Sequence, residues 1–367
     1  MNRKVLFIVN SMENGGAERV CANLANAYSE SGDDVDIITI KEYDGKKAYK
    51  LENGINIYSL GYKLDSKISK ISCCLLGCHR LSRVVKRLEK TDGYDLITSH
   101  LPTANLVTRF SCVGRKAIYV FHSTMTTFYS GKGLLFRLIL KWFFYKRKIA
   151  CVSNGIKDEC VEIYHLNRNY IRTIYNPIII GEINNKANIL SEEIQKCKPY
   201  ILVVGRLSRE KRQDRAIEIF NKGHFFEKFN LVICGVGDLE DDLKRQAIET
   251  KKPENIHFVG WQSNPYNWMK NSELVLCTSE KEGFPMNLVE AFSCGAKVVS
   301  SDCNFGPKEI LKGDFSKFLA KEDDVDAYIN KINTALKNYP RIKNPIIHEC
   351  ESNNVIEQYI SFYKENM

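Results

Sequence analysis

Two acidic residues, Glu282 and Glu290, lie at the ends of a segment whose residue types could bind a phosphorylated ligand. An apolar, strand-like run over residues 274–277 precedes them, and Pro285 and Asn287 predict the start of a helix. The first turn of a helix carries unpaired N–H groups that attract phosphate. Glu282 would then lie beside a sugar attached to that phosphate, and Glu290 could accept both hydroxyls of a ribose. The simpler interpretation is a charged loop followed by an acid of the kind common near helix starts.

A glycine followed by basic residues forms the second candidate site. Residues 205–211, Gly-Arg-Leu-Ser-Arg-Glu-Lys, directly follow the strand-like run 200–204. Gly205 would let the chain turn, and Arg206 and Lys211 would place two positive charges at the end of the strand. A diphosphate leaving group requires such charges as its own negative charge develops. A solvated basic loop would show the same composition.

Further glycines occur where strand-like runs end. Gly15 and Gly16 stand between the first such run and a helical pattern, where paired glycines would let the backbone approach a phosphate. Gly235 follows another run and could line a pocket for a base. Both sequences also fit ordinary tight turns. The spacing at Gly15 lacks the G-x-G-x-x-G pattern, which counts against an NAD-dependent dehydrogenase.

Two histidines follow strand-like runs in the first half of the chain. His122 comes after the run 117–121, and His100 comes after the run 95–98. A histidine at such a place could hydrogen-bond a sugar hydroxyl or steer a developing charge. A hydrogen-bonded structural histidine is the competing interpretation, and it applies more strongly to His100.

The segment 132–148 combines basic residues with aliphatic and aromatic ones and ends in a basic cluster. This composition is typical of a segment that rests on anionic lipid. A core helix with a solvated charged edge is the alternative. Nucleic acid is not an expected partner, because no motif of that class occurs.

The elements that would position these residues follow a regular order, in which short apolar runs alternate with helical patterns. The runs of the first half span residues 5–9, 35–40, 95–98, 117–121 and 149–152, and those of the second half span 200–204, 231–234, 257–259, 274–277 and 297–300. Buried strands that alternate with helices predict βαβ units and parallel sheets. The chain therefore reads as two α/β domains with a cleft between them, and ligands bind such sheets at the carboxyl ends of the strands.

Length and composition agree with two domains in 367 residues. The net charge of +9 favours an anionic partner without identifying it. The thirteen cysteines lie mostly in apolar runs, as buried free thiols of a reducing compartment would. Neither a signal peptide nor a membrane-spanning run of about 18 apolar residues is expected.

Taken together, three motifs resemble those of the family 4 retaining glycosyltransferases, which have the GT-B fold of two facing Rossmann-like domains. The motifs are Gly-Gly-Ala-Glu-Arg at 15–19, Gly-Arg-Leu with Glu-Lys at 205–211, and the two glutamates separated by seven residues at 282–290. The resemblance predicts an acceptor-binding domain over 1–178, a linker over 179–198, a donor-binding domain over 199–345, and a last stretch, 346–367, that returns to the first domain. The segments 260–266 and 301–307 also resemble segments of bacterial transferases that assemble lipopolysaccharide core, O-antigen and capsule. Such transferases commonly use UDP-sugars.

The resemblance also implies roles for individual residues. Arg206 and Lys211 would bind the donor diphosphate, Glu282 would contact the donor sugar, Glu290 would bind the ribose, and His122 would lie near the reacting face of the sugar. The remaining donor-binding residues would contribute backbone groups and turns, and they are Gly15, Gly16, Gly235, Gly260, Phe284, Pro285, Met286 and Asn287. No metal or other cofactor is expected, because cationic side chains and helix amides would replace it. Attack from the front face, with the leaving phosphate accepting the proton, would retain the configuration.

The predicted function is transfer of a hexose or N-acetylhexosamine from a nucleotide sugar, UDP-linked by resemblance, to a lipid-linked oligosaccharide or lipopolysaccharide. The enzyme would be cytoplasmic and peripherally bound to the inner face of the cell membrane. A UDP-sugar 2-epimerase-like enzyme is one alternative, and it would require more acid and base residues in the cleft. A non-catalytic sugar- or lipid-binding scaffold is another, and it would have lost a donor residue, whereas Arg206, Lys211, Glu282 and Glu290 are all present.

Overall fold

The computed structural model describes residues 2–13, 15–43, 45, 49–63, 67–89, 93–124 and 133–365. The chain divides into two compact units: Met1–Pro177 together with Glu351–Met367, and Ile178–Cys350. Each unit is a parallel β-sheet with helices on its faces. The predicted α/β class with two Rossmann-like domains is confirmed.

The first unit is built on a sheet that has, within the described residues, seven parallel strands in the order β3-β2-β1-β4-β5-β6-β7. These strands are β1 Lys4–Val9, β2 Asp34–Lys41, β3 Asn56–Tyr62, β4 Leu96–His100, β5 Ile118–Phe121, β6 Ile149–Cys151 and β7 Ile171–Thr173. In the central strand, Phe7 pairs with Ile37 on one side and with Thr98 on the other. Strands covered on both faces require continuous apolar runs, which explains the sequence of β1.

The helices of the first unit cover both faces of the sheet. They span Gly16–Glu30, Lys67–Leu88, Pro102–Arg109, Leu134–Phe143, Asn154–Glu162 and Ser352–Lys364. The last helix packs on the first, where the Tyr28 hydroxyl donates to the Ile356 carbonyl at 3.4 Å. Lys148 Nζ donates to the carbonyls of Tyr363 and Glu365 at 2.5 and 2.8 Å. The end of the chain is therefore part of the first unit.

The second unit has, in the part of the chain described, a six-stranded parallel sheet in the order β10-β9-β8-β11-β12-β13. Its strands are β8 Tyr200–Val204, β9 Asn230–Cys234, β10 Ile256–Gly260, β11 Leu274–Cys277, β12 Val298–Ser301 and β13 Leu319–Ala320. Its helices span Ile180–Ala187, Glu192–Cys197, Gln213–Lys222, Glu240–Ile248, Pro265–Asn271, Met286–Ser293, Pro307–Ile310, Val325–Lys337 and Pro345–Glu349.

The structure differs from the expected organisation at the two junctions. The segment 179–198, expected to be a linker, contains the helices Ile180–Ala187 and Glu192–Cys197 and belongs to the second unit. Its composition is polar, but Ile183, Ala187 and Ile194 are buried, so each helix has an apolar face that packs on the unit. The last stretch returns to the first unit only from Glu351, because the short helix Pro345–Glu349 stays with the second.

Candidate active site

Three adjacent loops follow β8, β9 and β10 in the second unit, and hydrogen bonds hold them together. Gly205 N–H donates to the Cys234 carbonyl at 3.0 Å, and Leu207 N–H donates to the Val236 carbonyl at 3.0 Å. Gly235 N–H donates to the Gly260 carbonyl at 2.8 Å. The predicted donor residues Gly235 and Gly260 thus share one edge of the sheet with Gly205, as expected for the carboxyl ends of parallel strands.

Close packing explains the glycine at position 235. A Cβ atom added there would lie 1.9 Å from the Gly205 carbonyl oxygen, closer than any side chain permits. Its φ of 152° also falls in the region that glycine adopts most readily. Gly235 therefore allows two loops to pack closely against each other. The sequence analysis had considered a pocket for a base and an ordinary tight turn, and neither interpretation included this contact.

Lys211 and Glu282 come together although 71 residues separate them in the sequence. Lys211 Nζ lies 2.6 Å from Glu282 Oε1, and the two side chains are 25% and 8% exposed. Burial lowers the pKa of the Lys211 ammonium, but the charge and hydrogen bond of Glu282 raise it by more, so the pKa is raised. The lysine is therefore a fixed positive charge beside a nearly buried carboxylate.

The loops that carry this pair are joined through their backbones. The Thr278 hydroxyl donates to the Arg212 carbonyl at 2.7 Å, and Glu280 N–H donates to the Glu210 carbonyl at 2.8 Å. Strands β8 and β11 are neighbours in the sheet, so the segments that follow them must run side by side. The strand order thus brings together two motifs that the sequence presents separately.

Arg206 is held more loosely than Lys211. Its guanidinium is exposed and lies 2.8 Å from Glu210 Oε1, an ion pair of the kind that contributes little in water. Its backbone is fixed instead, because Gln213 Nε2 donates to the Arg206 carbonyl at 2.8 Å. The side chain of Arg206 can therefore leave Glu210 for a more highly charged anion without moving the loop.

Two buried residues that the sequence analysis did not single out support the loops. Gln213, at the start of helix Gln213–Lys222, makes the bond to Arg206 just described. Arg215, on the same helix, is buried and bonds to Asp323 at 2.7 Å and to the Thr278 carbonyl at 3.3 Å. The sequence shows an arginine in an amphipathic helical pattern, but it does not reveal that this arginine is buried.

The helix Met286–Ser293 begins directly after the loop that carries Glu282. In the described structure no side chain caps its start, so its first amide groups remain available to a ligand. Asn287 Nδ2 donates to the Val204 carbonyl at 3.1 Å, which ties the helix to the end of β8. Glu290, one turn further, is buried. Phe284 and Pro285 are buried as well, and Met286 and Asn287 are partly exposed.

In the first unit, His100 and His122 form a hydrogen-bonded pair. His100 Nδ1 lies 2.9 Å from His122 Nε2, and His100 Nε2 lies 3.0 Å from the Thr98 hydroxyl. Burial lowers the pKa of His122 to about 4, and burial together with His122 lowers that of His100 well below its usual value. Both rings are therefore neutral at physiological pH and act as hydrogen-bonding groups. His100 is fully buried, whereas His122 is partly exposed.

The glycines at the start of helix Gly16–Glu30 stand next to an acid. A Cβ atom added at Gly15 would lie 2.0 Å from Glu18 Oε2, so the Glu18 carboxylate folds back over the helix start. Burial raises the pKa of Glu18, although a hydrogen bond from its own backbone N–H opposes this. A carboxylate already occupies the place expected for a phosphate. A phosphate at Gly15 and Gly16 would therefore have to displace Glu18.

The segment 132–148, predicted to contact lipid, contains helix Leu134–Phe143. The first residue of this segment, Lys132, lies outside the described residues. Leu135, Leu138 and Trp142 on this helix are exposed, and Trp142 is 61% exposed. Among the described helices none is long and apolar enough to cross a bilayer. Within the same part of the chain, no three His, Cys, Asp or Glu side chains converge as metal ligands would.

The two parallel α/β units and the paired motifs at the ends of β8 and β11 define a GT-B-type protein. The sequence matches the family model described as "Glycosyltransferase Family 4" over residues 14–181 and the one described as "Glycosyl transferases group 1" over residues 184–349. The chain therefore belongs to the family 4 glycosyltransferases and is an enzyme of that class. The predicted family, fold and enzyme class are confirmed.

Individual relatives agree with this assignment. The chain is 24% identical to the amylovoran biosynthesis glycosyltransferase AmsD of Erwinia amylovora, over 85% of this chain and 84% of that one. It is 27% identical to the O-antigen biosynthesis glycosyltransferase WbnH of Escherichia coli, over 99% and 98%. Among solved structures, Anabaena Alr3699/HepE in complex with UDP and glucose superposes with a TM-score of 0.76 at 17% identity, over 98% and 99%. That last likeness concerns the fold.

Proposed function

We propose that this enzyme transfers a hexose or N-acetylhexosamine from a UDP-sugar to a lipid-linked oligosaccharide or lipopolysaccharide, with retention, in bacterial surface polysaccharide synthesis. The ion pair of Lys211 with Glu282, at 2.6 Å and next to an uncapped helix start, carries the proposal. The names of AmsD and WbnH support a polysaccharide pathway, and the UDP and glucose in the HepE structure support the donor.

The donor would lie along the edge of the second sheet. Lys211 and Arg206 would neutralise the diphosphate, one from a fixed position and the other by leaving Glu210. The amides at the start of helix Met286–Ser293 would bind the phosphate next to the sugar. Glu282 would accept hydrogen bonds from the sugar hydroxyls, and Glu290 would bind the ribose. The loops at Gly235 and Gly260 would lie on the side of the base.

The chemistry would use positioning and charge. No cofactor is needed in this proposal, because cations and helix amides stabilise the diphosphate as it leaves. The leaving phosphate would accept the proton of the attacking hydroxyl on the same face of the sugar, which retains the configuration. His122 would take part as a neutral hydrogen-bonding group, because its pKa of about 4 leaves it unprotonated near neutral pH.

Contact with a membrane would bring the enzyme to its acceptor. Leu135, Leu138 and Trp142 form an exposed apolar surface, which we call the outer face of helix Leu134–Phe143. Arg137, Lys141 and Lys146 are exposed beside it and suit anionic headgroups. The enzyme would then bind peripherally to the inner face of the membrane.

A donor panel tests the proposal. We expect the purified enzyme to consume one UDP-sugar, and not GDP- or ADP-sugars. The variants Lys211→Met and Glu282→Gln are then assayed with that UDP-sugar beside the wild type. Each variant should lose at least about a hundredfold in activity, since each removes a charge at the reacting diphosphate or sugar. The exposed pair Lys244 and Glu240, at 2.7 Å, provides the matched controls Lys244→Met and Glu240→Gln. Full activity in Lys211→Met or Glu282→Gln would contradict the site.

A further inference from the structure

The paired histidines of the first unit are linked to a third polar side chain, that of Thr98. Residues that lie two apart on a strand share one face of the sheet, so Thr98 and His100 extend from the same face of β4. His100 pairs with Val120 of the neighbouring strand β5, and His122 follows two residues beyond Val120. The register of the two strands therefore places Thr98, His100 and His122 in a row.

Hydrogen bonds join these three side chains end to end. The Thr98 hydroxyl lies 3.0 Å from His100 Nε2, and His100 Nδ1 lies 2.9 Å from His122 Nε2. Thr98 and His100 are 1% and 0% exposed, whereas His122 is partly exposed and lines a cavity. The row thus begins in the core and ends at His122. Because His100 occupies Nε2 of His122, Nδ1 is the ring nitrogen left for a ligand.

The hydrogen bonds couple the positions of the ring protons. Burial lowers the pKa of both imidazoles, so each ring is neutral near pH 7 and carries one proton. In one arrangement the Thr98 hydroxyl donates to His100 Nε2, His100 Nδ1–H donates to His122 Nε2, and His122 carries its proton on Nδ1. In the reverse arrangement both rings carry the proton on Nε2. His122 Nδ1 is therefore a donor in the first arrangement and an acceptor in the second.

The hydroxyl of Thr98 decides between the two arrangements. In the reverse arrangement it accepts from His100 Nε2–H, and its own hydrogen needs a further acceptor. Within the described residues, the Thr98 hydroxyl has no hydrogen-bond partner other than His100 Nε2. A buried donor without a partner is unfavourable. In the first arrangement every donor inside the row has an acceptor, and only His122 Nδ1–H is left for a ligand.

We propose that Thr98 and His100 are positioning residues that fix His122 as a hydrogen-bond donor through its Nδ1. Such a donor recognises an oxygen that accepts, such as the hydroxyl oxygen of a sugar. His122 would then not take the proton of the attacking hydroxyl, because the nitrogen left for a ligand already carries one. The identity of the ligand rests on the proposed function, whereas the proton positions are a property of the enzyme alone.

Nitrogen-15 NMR of the ligand-free enzyme locates the ring protons, because protonated and unprotonated ring nitrogens differ widely in chemical shift. His100→Gln and His122→Gln identify the signals of the two rings by their loss. Near neutral pH we expect Nδ1 to be protonated and Nε2 to be unprotonated on both rings. A protonated Nε2 on either ring would overturn the proposal.

Variants of Thr98 test the role of its hydroxyl. Thr98→Val keeps the shape of the side chain and removes the donor. A neutral histidine in water prefers the proton on Nε2, so both rings should change to that form in Thr98→Val and keep the Nδ1 form in Thr98→Ser. Thr39→Val removes another buried hydroxyl of the same sheet, one that donates to the Lys41 carbonyl at 2.8 Å, and should give the wild-type spectrum. If Thr98→Val does not fold, Thr98→Ala takes its place, and an unchanged spectrum in the folded variant overturns the proposal.

Activity separates this inference from the proposed function. With the UDP-sugar that the wild type consumes, Thr98→Val should lose about tenfold in kcat/KM, the contribution of about one hydrogen bond, and Thr98→Ser should recover it. Full kcat/KM in a Thr98→Val enzyme whose ring protons have moved overturns the role given to His122. An active wild type with Nε2 protonated on either ring refutes the inference alone. An enzyme that consumes no nucleotide sugar refutes the proposed function, while the NMR spectrum still decides the proton positions.

Discussion

Acid should destabilise the first unit through His122. Burial lowers the pKa of this imidazole to about 4, whereas an unfolded chain has a histidine pKa of about 6.5. Between these two values the unfolded chain binds more protons than the folded one. The stability of the folded unit is therefore fully present above about pH 6.5 and decreases as the pH falls toward about 4, where the loss is complete.

The size of the effect follows from the two pKa values. The linkage relation gives a loss of about 2 kcal/mol between about pH 7.5 and about pH 5, and of about 3 kcal/mol once the pH is below the folded pKa. His100 is buried beside His122 and its pKa is lowered too, so it adds to the loss in the wild type. Replacing His122 by glutamine removes the contribution of His122 and also the smaller part of the pKa shift of His100 that His122 causes.

The measurement compares wild type with His122→Gln at each pH. Hydrogen exchange of peptides from Leu96–His100 and Ile118–Phe121 reports on the first unit separately from the second. As the pH falls from about 7.5 to about 5, the free energy of unfolding of the wild type should decrease by about 2 kcal/mol more than that of the variant does. His79→Gln, at an exposed histidine, should follow the wild type. An equal difference between variant and wild type at both pH values would refute the reasoning.

Two further predictions concern the donor pair and the outer face of helix Leu134–Phe143. Lys211→Met leaves the nearly buried Glu282 carboxylate without its cation, so urea unfolding should show the second unit destabilised by about 3 kcal/mol. The double variant Lys211→Met/Glu282→Leu should recover most of that stability while remaining inactive. A double variant no more stable than Lys211→Met alone would contradict the buried pair. Vesicles rich in phosphatidylglycerol should bind the wild type at low salt and release it at high salt. Trp142→Ala should bind these vesicles at least about tenfold more weakly, whereas Trp261→Ala, at a tryptophan that is also 61% exposed, should bind them as the wild type does. Equal weakening in both variants would contradict the proposed membrane surface.

The central strands were predictable because burial on both faces leaves a plain signal. The runs 200–204 and 274–277 coincide with β8 and β11, and both are almost wholly buried. The edge strand Asn56–Tyr62 was not predicted, because only one side of it is paired and exposed residues interrupt its apolar ones. The helices at 180–197 were not predicted either, since each needs only two or three apolar residues to pack on the second unit.

The proposed donor residues were found from the sequence, but their contacts were not. Glu282 and Lys211 each stood out by following a strand, and only the order of the sheet, with β8 next to β11, shows that they pair. Residue types therefore suggested the chemistry that we propose, and the long-range topology decides which residues lie together.

The pairing of Lys211 with Glu282 also bears on how a diphosphate could bind there. A diphosphate brings further negative charge close to a carboxylate that is only 8% exposed, and repulsion at that depth is poorly screened. Lys211 alone already balances Glu282, so a second cation is required. Arg206 meets this requirement, because its present partner Glu210 is partly exposed and its backbone is held by Gln213. In the proposed donor site, the partly buried lysine would thus be in place before the donor arrives, and the exposed arginine would be recruited by it.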